Sequence, residues 1–326
     1  MKLTTIPADF ASAYDDNYFV FEEVDASTPT EVAFLDAEGE RLGARRYASR
    51  ESIQTSPRSL LERLLEPRPV VEGGCRFLFG ADRQTALAVE FDGGTQSSPL
   101  VHFTAAHTPT PLHSVMGGSE QYRTLSAGEH DEVAFRAAVG DSLVAMVIMD
   151  GAVPTFLCGA TARQSGVHVL IVDADEILGR TGQKPESFDV SITIGGVRVA
   201  TIHYRLRSVA KGAVRLAWLN REGYISYHTF PAPLSERVVC ARSECETPYG
   251  TLILGGASWR EKTLGSGFLS AEQAEQLVGL VTSPRVWLLE GEVAKPQTII
   301  SHTMQLCGEG GRTLRLEVRD ARKEEQ

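Results

Sequence analysis

Apolar and polar residues alternate along most of this chain, most clearly from Asp189 to Ile202. Val190, Ile192 and Ile194 alternate with Ser191 and Thr193 up to Gly195-Gly196, and Val197 and Val199 continue beyond. A period of two predicts a half-buried strand, and a Gly-Gly pair supplies the positive φ angles of a tight hairpin. With Ile194 opposite Val197, Ile192 should face Val199. Val190, Ile192, Ile194, Val197 and Val199 then share a core face, and Ser191, Thr193 and Arg198 a wet one, with Ala200 and Ile202 following. A second hairpin is predicted from Val214 to Tyr227, its turn opened by Asn220 and closed by Gly223. Two further hairpins are predicted: Glu31–Leu35 with Arg41–Tyr47, and Arg76–Phe79 with Thr85–Phe91 around Gly80-Ala81-Asp82.

Helical periodicity is scarce. Ser56-Pro57 opens a short helix whose leucines Leu60, Leu61, Leu64 and Leu65 fall on one side, and Pro67 stops it. Ser270 and Gln273 form a capping box for a second helix through Leu280, with Leu269 stapling onto Ala274. Residues 18–103 and 132–218 follow one plan of apolar run, Asp turn, short helix signal, hairpin and final strand. Asp36 to Asp150 spans 114 residues, Leu60 to Ile177 spans 117, and Val101 to Leu216 spans 115. A shared period predicts a duplicated module. The expected fold is mainly β: two related tandem β-sandwich-like modules plus a smaller C-terminal α+β unit. Gly- and Pro-rich breaks place a first module at 1–107, a linker at 108–128, a second module at 129–233 and the C-terminal unit at 234–326. That last unit reads as strand, capped helix, then strands at Val286–Leu289, Thr298–His302 and Thr313–Val318, with a charged, frayed tail from Arg319.

Composition narrows the classes. The 326 residues suffice for two or three domains, and 42% hydrophobic content is ordinary for a globular protein. A formal charge of −10, with dispersed arginines, argues against a nucleic-acid or anionic-membrane partner. No apolar run approaches the roughly 20 residues of a membrane span. The start lacks a secretory apolar core, so cytoplasmic synthesis without a signal peptide is expected. Five scattered cysteines (75, 158, 240, 245 and 307) fit neither a disulfide scaffold nor a zinc knuckle, and Cys75 and Cys158 read as buried thiols.

No nucleophile elbow or phosphate loop is present. His102, His107 and His113 lack ligand spacing, and Asp173, Asp175 and Glu176 read as an acidic helix start rather than a calcium loop. No catalytic residue, metal site or cofactor is therefore assigned. Trp218, Tyr224 and Tyr227 crowd one hairpin and form the candidate interaction surface. Trp218 reads as core or a subunit contact, Tyr224 and Tyr227 as a possible sugar platform, and Trp259 and Trp287 as packing.

The pattern Trp218-Leu219-Asn220-x-x-Gly223-x-x-x-Tyr227-x-x-Phe230 resembles prophage-type virion proteins, in which a strand ending in Trp-Leu-Asn turns through Gly into an aromatic strand. The following order is similar to tail and baseplate components: a short helix of the Glu272–Leu280 kind, a Ser283–Leu288 strand, Gly291 and two terminal strands. The resemblance covers about 100 residues and carries no catalytic residue. It implies a structural, non-enzymatic subunit of a phage-tail-like assembly whose partners are protein subunits. The alternatives are a carbohydrate- or protein-binding β module at a cell surface, with a glycan as partner, and an enzyme using dispersed acidic residues.

Overall fold

The protein is described from a computed structural model covering residues 1–48, 50–150, 152–182, 185–267, 269–301 and 313–321. The chain is mainly β, as its alternation predicts. The first half contains β1 (Lys2–Thr5), β2 (Ala11–Ser12), β3 (Phe19–Glu22), β4 (Thr30–Leu35), β5 (Arg41–Tyr47) and β6 (Ile53–Thr55). Helix α1 (Arg58–Leu64), β7 (Arg76–Phe79), β8 (Gln84–Phe91), β9 (Gln96–Ser97) and β10 (Val101–Thr104) follow. One sheet has the order β1-β3-β6 and the other β2-β10-β8-β4-β5, with β9 beside β8. Phe19, Phe21 and Ile53 of the small sheet meet Val32, Phe34, Leu87, Val89 and Phe103 of the large one in a single core, with Leu61 of α1. Burying each such side chain contributes roughly 1.5–3 kcal/mol.

The next stretch contains β11 (Ser114–Val115), β12 (Glu120–Ser126), β13 (His130–Ala137), β14 (Ser142–Ile148), β15 (Thr155–Thr161) and β16 (Gly166–Asp173). It continues through α2 (Ala174–Thr181), β17 (Ser187–Ile194) and β18 (Val197–Arg207). Its sheets are β11-β13-β16-β7 and β12-β18-β17-β14-β15. Apart from β7 and β9, this is the strand order of the first half. In both, the pair at the start of the large sheet is parallel (β2 with β10, β12 with β18) and the rest antiparallel. The region 108–128, expected as a linker, instead supplies β11 and β12 to the two sheets.

The remainder contains β19 (Val214–Leu219), β20 (Ile225–Phe230), β21 (Ser235–Thr247), β22 (Gly250–Gly265), α3 (Ala271–Thr282), β23 (Val286–Glu290), β24 (Val293–Ile299) and β25 (Arg315–Asp320). They form one sheet, β20-β19-β23-β24-β25-β22-β21, with α3 packed on Leu216, Trp218 and Leu316. The hairpin β19–β20, read from the sequence as the end of the second module, therefore belongs to the C-terminal unit. That unit is larger than expected. Its β20-β19-β23-β24 run, with α3 before β23, repeats the β15-β14-β17-β18 run with α2 before β17.

Three local readings change. Arg76–Phe79 does not pair with β8; as β7 it pairs antiparallel with β16, Phe79 opposite His168 and Arg76 opposite Ile171. Residues Ala81–Arg83 form a 3-10 turn that buries Arg83, and the Gly80 amide bonds the Val167 carbonyl, so the chain is redirected rather than reversed. The Gly195-Gly196 turn is present, with φ of 58° and 84° and Ile194 opposite Val197. Beyond it, however, Ile192 faces Ala200 and not Val199. A bulge inserts one extra residue into β18 and flips its alternation, so Ala200, Ile202 and Tyr204 line the core, while Val197, beside the turn, is 66% exposed. Finally, α1 starts at Arg58 with Pro57 at its N-cap and no side-chain cap there. The Ser270–Gln273 capping box and the Asn220–Gly223 turn form as read. Cys307, His302 and the tail beyond Ala321 lie outside the described residues.

Candidate functional site

The acidic run Glu129-His130-Asp131-Glu132 opens β13, where the two modules and the C-terminal sheet meet. Alternation along the strand turns Glu132 inward, and its carboxylate is 0% exposed. It accepts hydrogen bonds from Arg83 Nη2 of the first half, from the Tyr227 hydroxyl on β20, and from the Val70 amide at 2.7 Å. Arg83 is itself 2% exposed. Beside it, Arg123 Nη1 donates to Asp131 Oδ2 and to the Glu132 carbonyl, both at 2.7 Å, and the Tyr204 hydroxyl donates to Asp131 at 2.9 Å. Arg215 of β19 pairs with Glu129 at 2.7 Å and donates to the His130 carbonyl. Charges this deep persist only when paired.

The candidate residues sit in or around this junction. Trp218 is 1% exposed, under α3, with Gly279 leaving room for its indole. It is a core residue, so the surface reading does not apply to it. Tyr227 is half-buried, its hydroxyl spent on Glu132 and its ring under the Arg215 guanidinium at 5.0 Å. Burial first, and the Glu132 carboxylate second, push its phenol well above the ordinary value. Tyr224 packs against Gly117 and beneath Arg123, 5.4 Å from its ring centroid. The hairpin aromatics therefore pack inward and hold modules together. His228, between them on β20, is lowered to about 3 by burial, with Arg207 and Arg215 adding repulsion.

A more open arrangement lies on the edge of the middle sheet, and the sequence reading missed it. His203 of β18 bridges Asp189 Oδ1 of β17 and Glu120 Oε2 of β12, at 2.8 Å each. Burial alone would lower the imidazole, but the two carboxylate hydrogen bonds outweigh it and raise its pKa. Tyr122 stacks on it with ring centroids 4.6 Å apart and is 58% exposed. A groove of about 970 Å³ opens here, lined also by Arg205, Arg207, Ser270 and Gln273. The parallel pairing of β12 with β18 creates this site, and a parallel partner 83 residues away leaves no local signal in sequence.

The other sequence candidates have structural work. Asp173 caps α2 by accepting from the Glu176 amide at 3.0 Å and holds the Gly74 amide at 2.8 Å, while Glu176 holds the Cys75 amide. Asp175 accepts from the Gly128 amide at 2.8 Å. Asp173 and Glu176 thus anchor the chain entering β7, and Asp175 the turn before β13. His102 bonds Asp9, His107 stacks on Tyr14, and His113 bonds Asp141, each apart from the others. Burial pushes the thiols of Cys75 and Cys158 up to about 12. Among the described residues no group of three or more His, Cys, Asp or Glu could hold a metal ion, and no helix is long and apolar enough to cross a membrane. No protein-family model matches the chain, and no curated protein matches it.

Proposed function

We propose that the chain is a structural subunit of a phage-tail-like or prophage virion assembly, working through contacts with other protein subunits. The observation that carries this reading is the repetition of one strand order along the chain, tied into one body. Apart from β7 and β9, the first two modules share their strand order, and the C-terminal sheet repeats four strands of it, as tandem duplication would leave them. Strand β7 of the first module completes a sheet of the second, and the Arg83–Glu132–Tyr227 cluster joins all three units. Both features favour a stiff, multi-module building block over a hinged one. The motif from Trp218 to Phe230 supports the same reading, since its aromatics serve the packing between units. Light scattering and negative-stain imaging test it, with the chain alone and co-expressed with the products of its neighbouring genes. Rings, tubes or stacked particles are expected. A chain that stays monomeric under both conditions sinks the reading.

A second reading, glycan or peptide binding at a cell surface, is favoured by one observation, the exposed Tyr122 stacked on His203 in its groove. A stacked aromatic with flanking carboxylates and arginines is suited to a sugar ring. Glycan-array binding lost in Tyr122→Ala, with Tyr224→Ala unchanged, would select it.

A further inference from the structure

Among the described residues, the long sheet edges other than that of β21 are closed off. Strand β5 carries Arg41, Arg45 and Arg46 and a register irregularity. Strand β15 is bulged, and Arg180 Nη1 occupies its Leu157 carbonyl at 2.7 Å. The Tyr122 carbonyl of β12 takes the Gln276 side chain of α3 at 2.9 Å, and β20 lies against β13. Such devices keep edges from pairing with other chains. Among the described residues no side chain of another element bonds the backbone of β21, and its charges are of both signs rather than all positive. The strand is 13 residues long, contains neither proline nor lysine, and its partner strand, not β21, carries the extra residue of their bulge. A typical strand is about 5–6 residues.

Most of this strand is also unsupported. Among the described residues β22 pairs with β25 through Glu261–Gly265, with Arg319 of β25 over the Trp259 ring, and further out the backbone ladder joins Val238–Thr247 to Gly250–Arg260. The result is a two-stranded ribbon projecting roughly 30 Å. Val238 and Leu252 lie exposed on it, and Tyr249 at its tip is 100% exposed. A lone two-stranded ribbon is marginal in water, which points to a partner.

We infer that the free edge of β21 pairs antiparallel with β21 of a second copy of this chain. This rests on the assembly reading and names one of its contacts. Charge complementarity selects the partner. Near the base, Glu236 is already bonded to Arg260 and Arg237 to Glu261. Further out, Arg242, Glu244 and Glu246 have no ion pair among the described residues. A two-fold axis near residue 243 places Arg242 opposite Glu244 of the second copy, twice over. Parallel pairing would instead align like charges. The contact is isologous, so it closes as a pair and leaves the rest of each copy free for other neighbours.

The test uses the full chain and two charge variants, Arg242→Glu and Glu244→Arg, in sedimentation velocity. Wild type should dimerise, and each variant alone should dissociate at least tenfold more readily. Mixed together, the two variants should restore dimers, because glutamates on one arm then face arginines on the other. That recovery also shows that both variants fold. A monomeric wild type overturns the inference, as does dimerisation that neither variant changes. In the latter case the assembly reading survives, because subunits still associate through another surface. Failure of the assembly reading is seen separately, as absence of particles with the neighbouring gene products.

Discussion

Glu132 is the most informative single position to change. Its carboxylate takes donors from Arg83, Tyr227 and Val70 with no exposure to water, and Arg83 Nε and Nη1 find no other hydrogen-bond partner. Glu132→Ala would strand a buried guanidinium, with Asp82 at 3.7 Å from Nε and the Arg68 carbonyl at 3.4 Å from Nη2 in partial compensation. Removing one partner of a buried pair costs about 3–5 kcal/mol. The unpaired Tyr227 hydroxyl and Val70 amide push toward the upper end of that range. Glu132→Gln keeps an acceptor and loses the charge, so it should fall between wild type and Ala. The informative comparison is Arg83→Met with Glu132→Leu and Tyr227→Phe together. That triple variant removes both side-chain partners and leaves no unpaired charge in the cluster, with the Val70 amide alone unsatisfied, so it should lie within about 2 kcal/mol of wild type. Urea titrations followed by tryptophan fluorescence measure this, because Trp218 and Trp287 lie on the C-terminal sheet that the cluster joins. A chain of several modules need not unfold in one step, so the first transition is the one to compare. A shift for Glu132→Ala below about 1 kcal/mol would refute the argument. So would a triple variant as unstable as the single one.

Replacing both Gly195 and Gly196 by Val should cost roughly 2–4 kcal/mol, at 1–2 per forced left-handed residue, whereas Gly195→Asn should be nearly neutral; equal thermal melts for the two variants would refute it. Gly223 has φ of 80°, and a Cβ there would lie 2.5 Å from the Ala106 amide nitrogen, so Gly223→Ala should loosen the first half from the β19–β20 turn, read as faster hydrogen exchange at both. His228, held near 3 in the folded chain against about 6.5 unfolded, contributes stability above pH 6.5 that is lost as pH falls toward 3, by up to roughly 1.4 kcal/mol per unit. His228→Leu should flatten that acid limb in denaturant titrations between pH 7 and 4, and an unchanged slope would refute it. Replacing residues 241–257 with Asn-Gly, between the paired Cys240 and Ser258, should leave the circular dichroism of the body intact while abolishing dimers.

Local rules were readable where one residue decides the geometry. Gly-Gly at a hairpin, Asn220 with Gly223 at a turn and Ser270 with Gln273 at a helix start each act within a few residues, and each formed as read. Partner choice was not readable at that range. Arg76–Phe79 carries a strand pattern, but nothing in it says whether β8 or β16 will take its hydrogen bonds. The bulge in β18 is invisible because Val197 and Val199 continue the alternation in sequence while the backbone breaks it. The buried junction was missed for a different reason. A Glu-His-Asp-Glu run resembles a solvated face, and Arg83 resembles any turn arginine. The available signal was that Glu132 directly precedes the apolar run Val133-Ala134-Phe135 of one strand. A charge placed there must find an opposite charge, and sequence could have posed that question without naming Arg83.

The three units also show why the exposed ribbon is where it is. In the first unit the segment between the β4–β5 hairpin and the helix is β6, which turns back to pair with β3. In the second the corresponding segment, β16, pairs with β13. Each of these strands builds a small sheet that covers one face of the large one. In the C-terminal unit α3 takes over that covering, placing Ala274, Leu277 and Leu280 against Leu216, Trp218 and Leu288. The segment between β20 and α3 is then released from core duty. It is also much longer than β6 or β16, and its distal residues bury almost nothing. A strand freed from its own module keeps its row of unsatisfied amides and carbonyls, and those groups are satisfied by water or by another chain. In the first two units this position builds the covering sheet within the protein. In the third, the same position is free to tie one protein to the next.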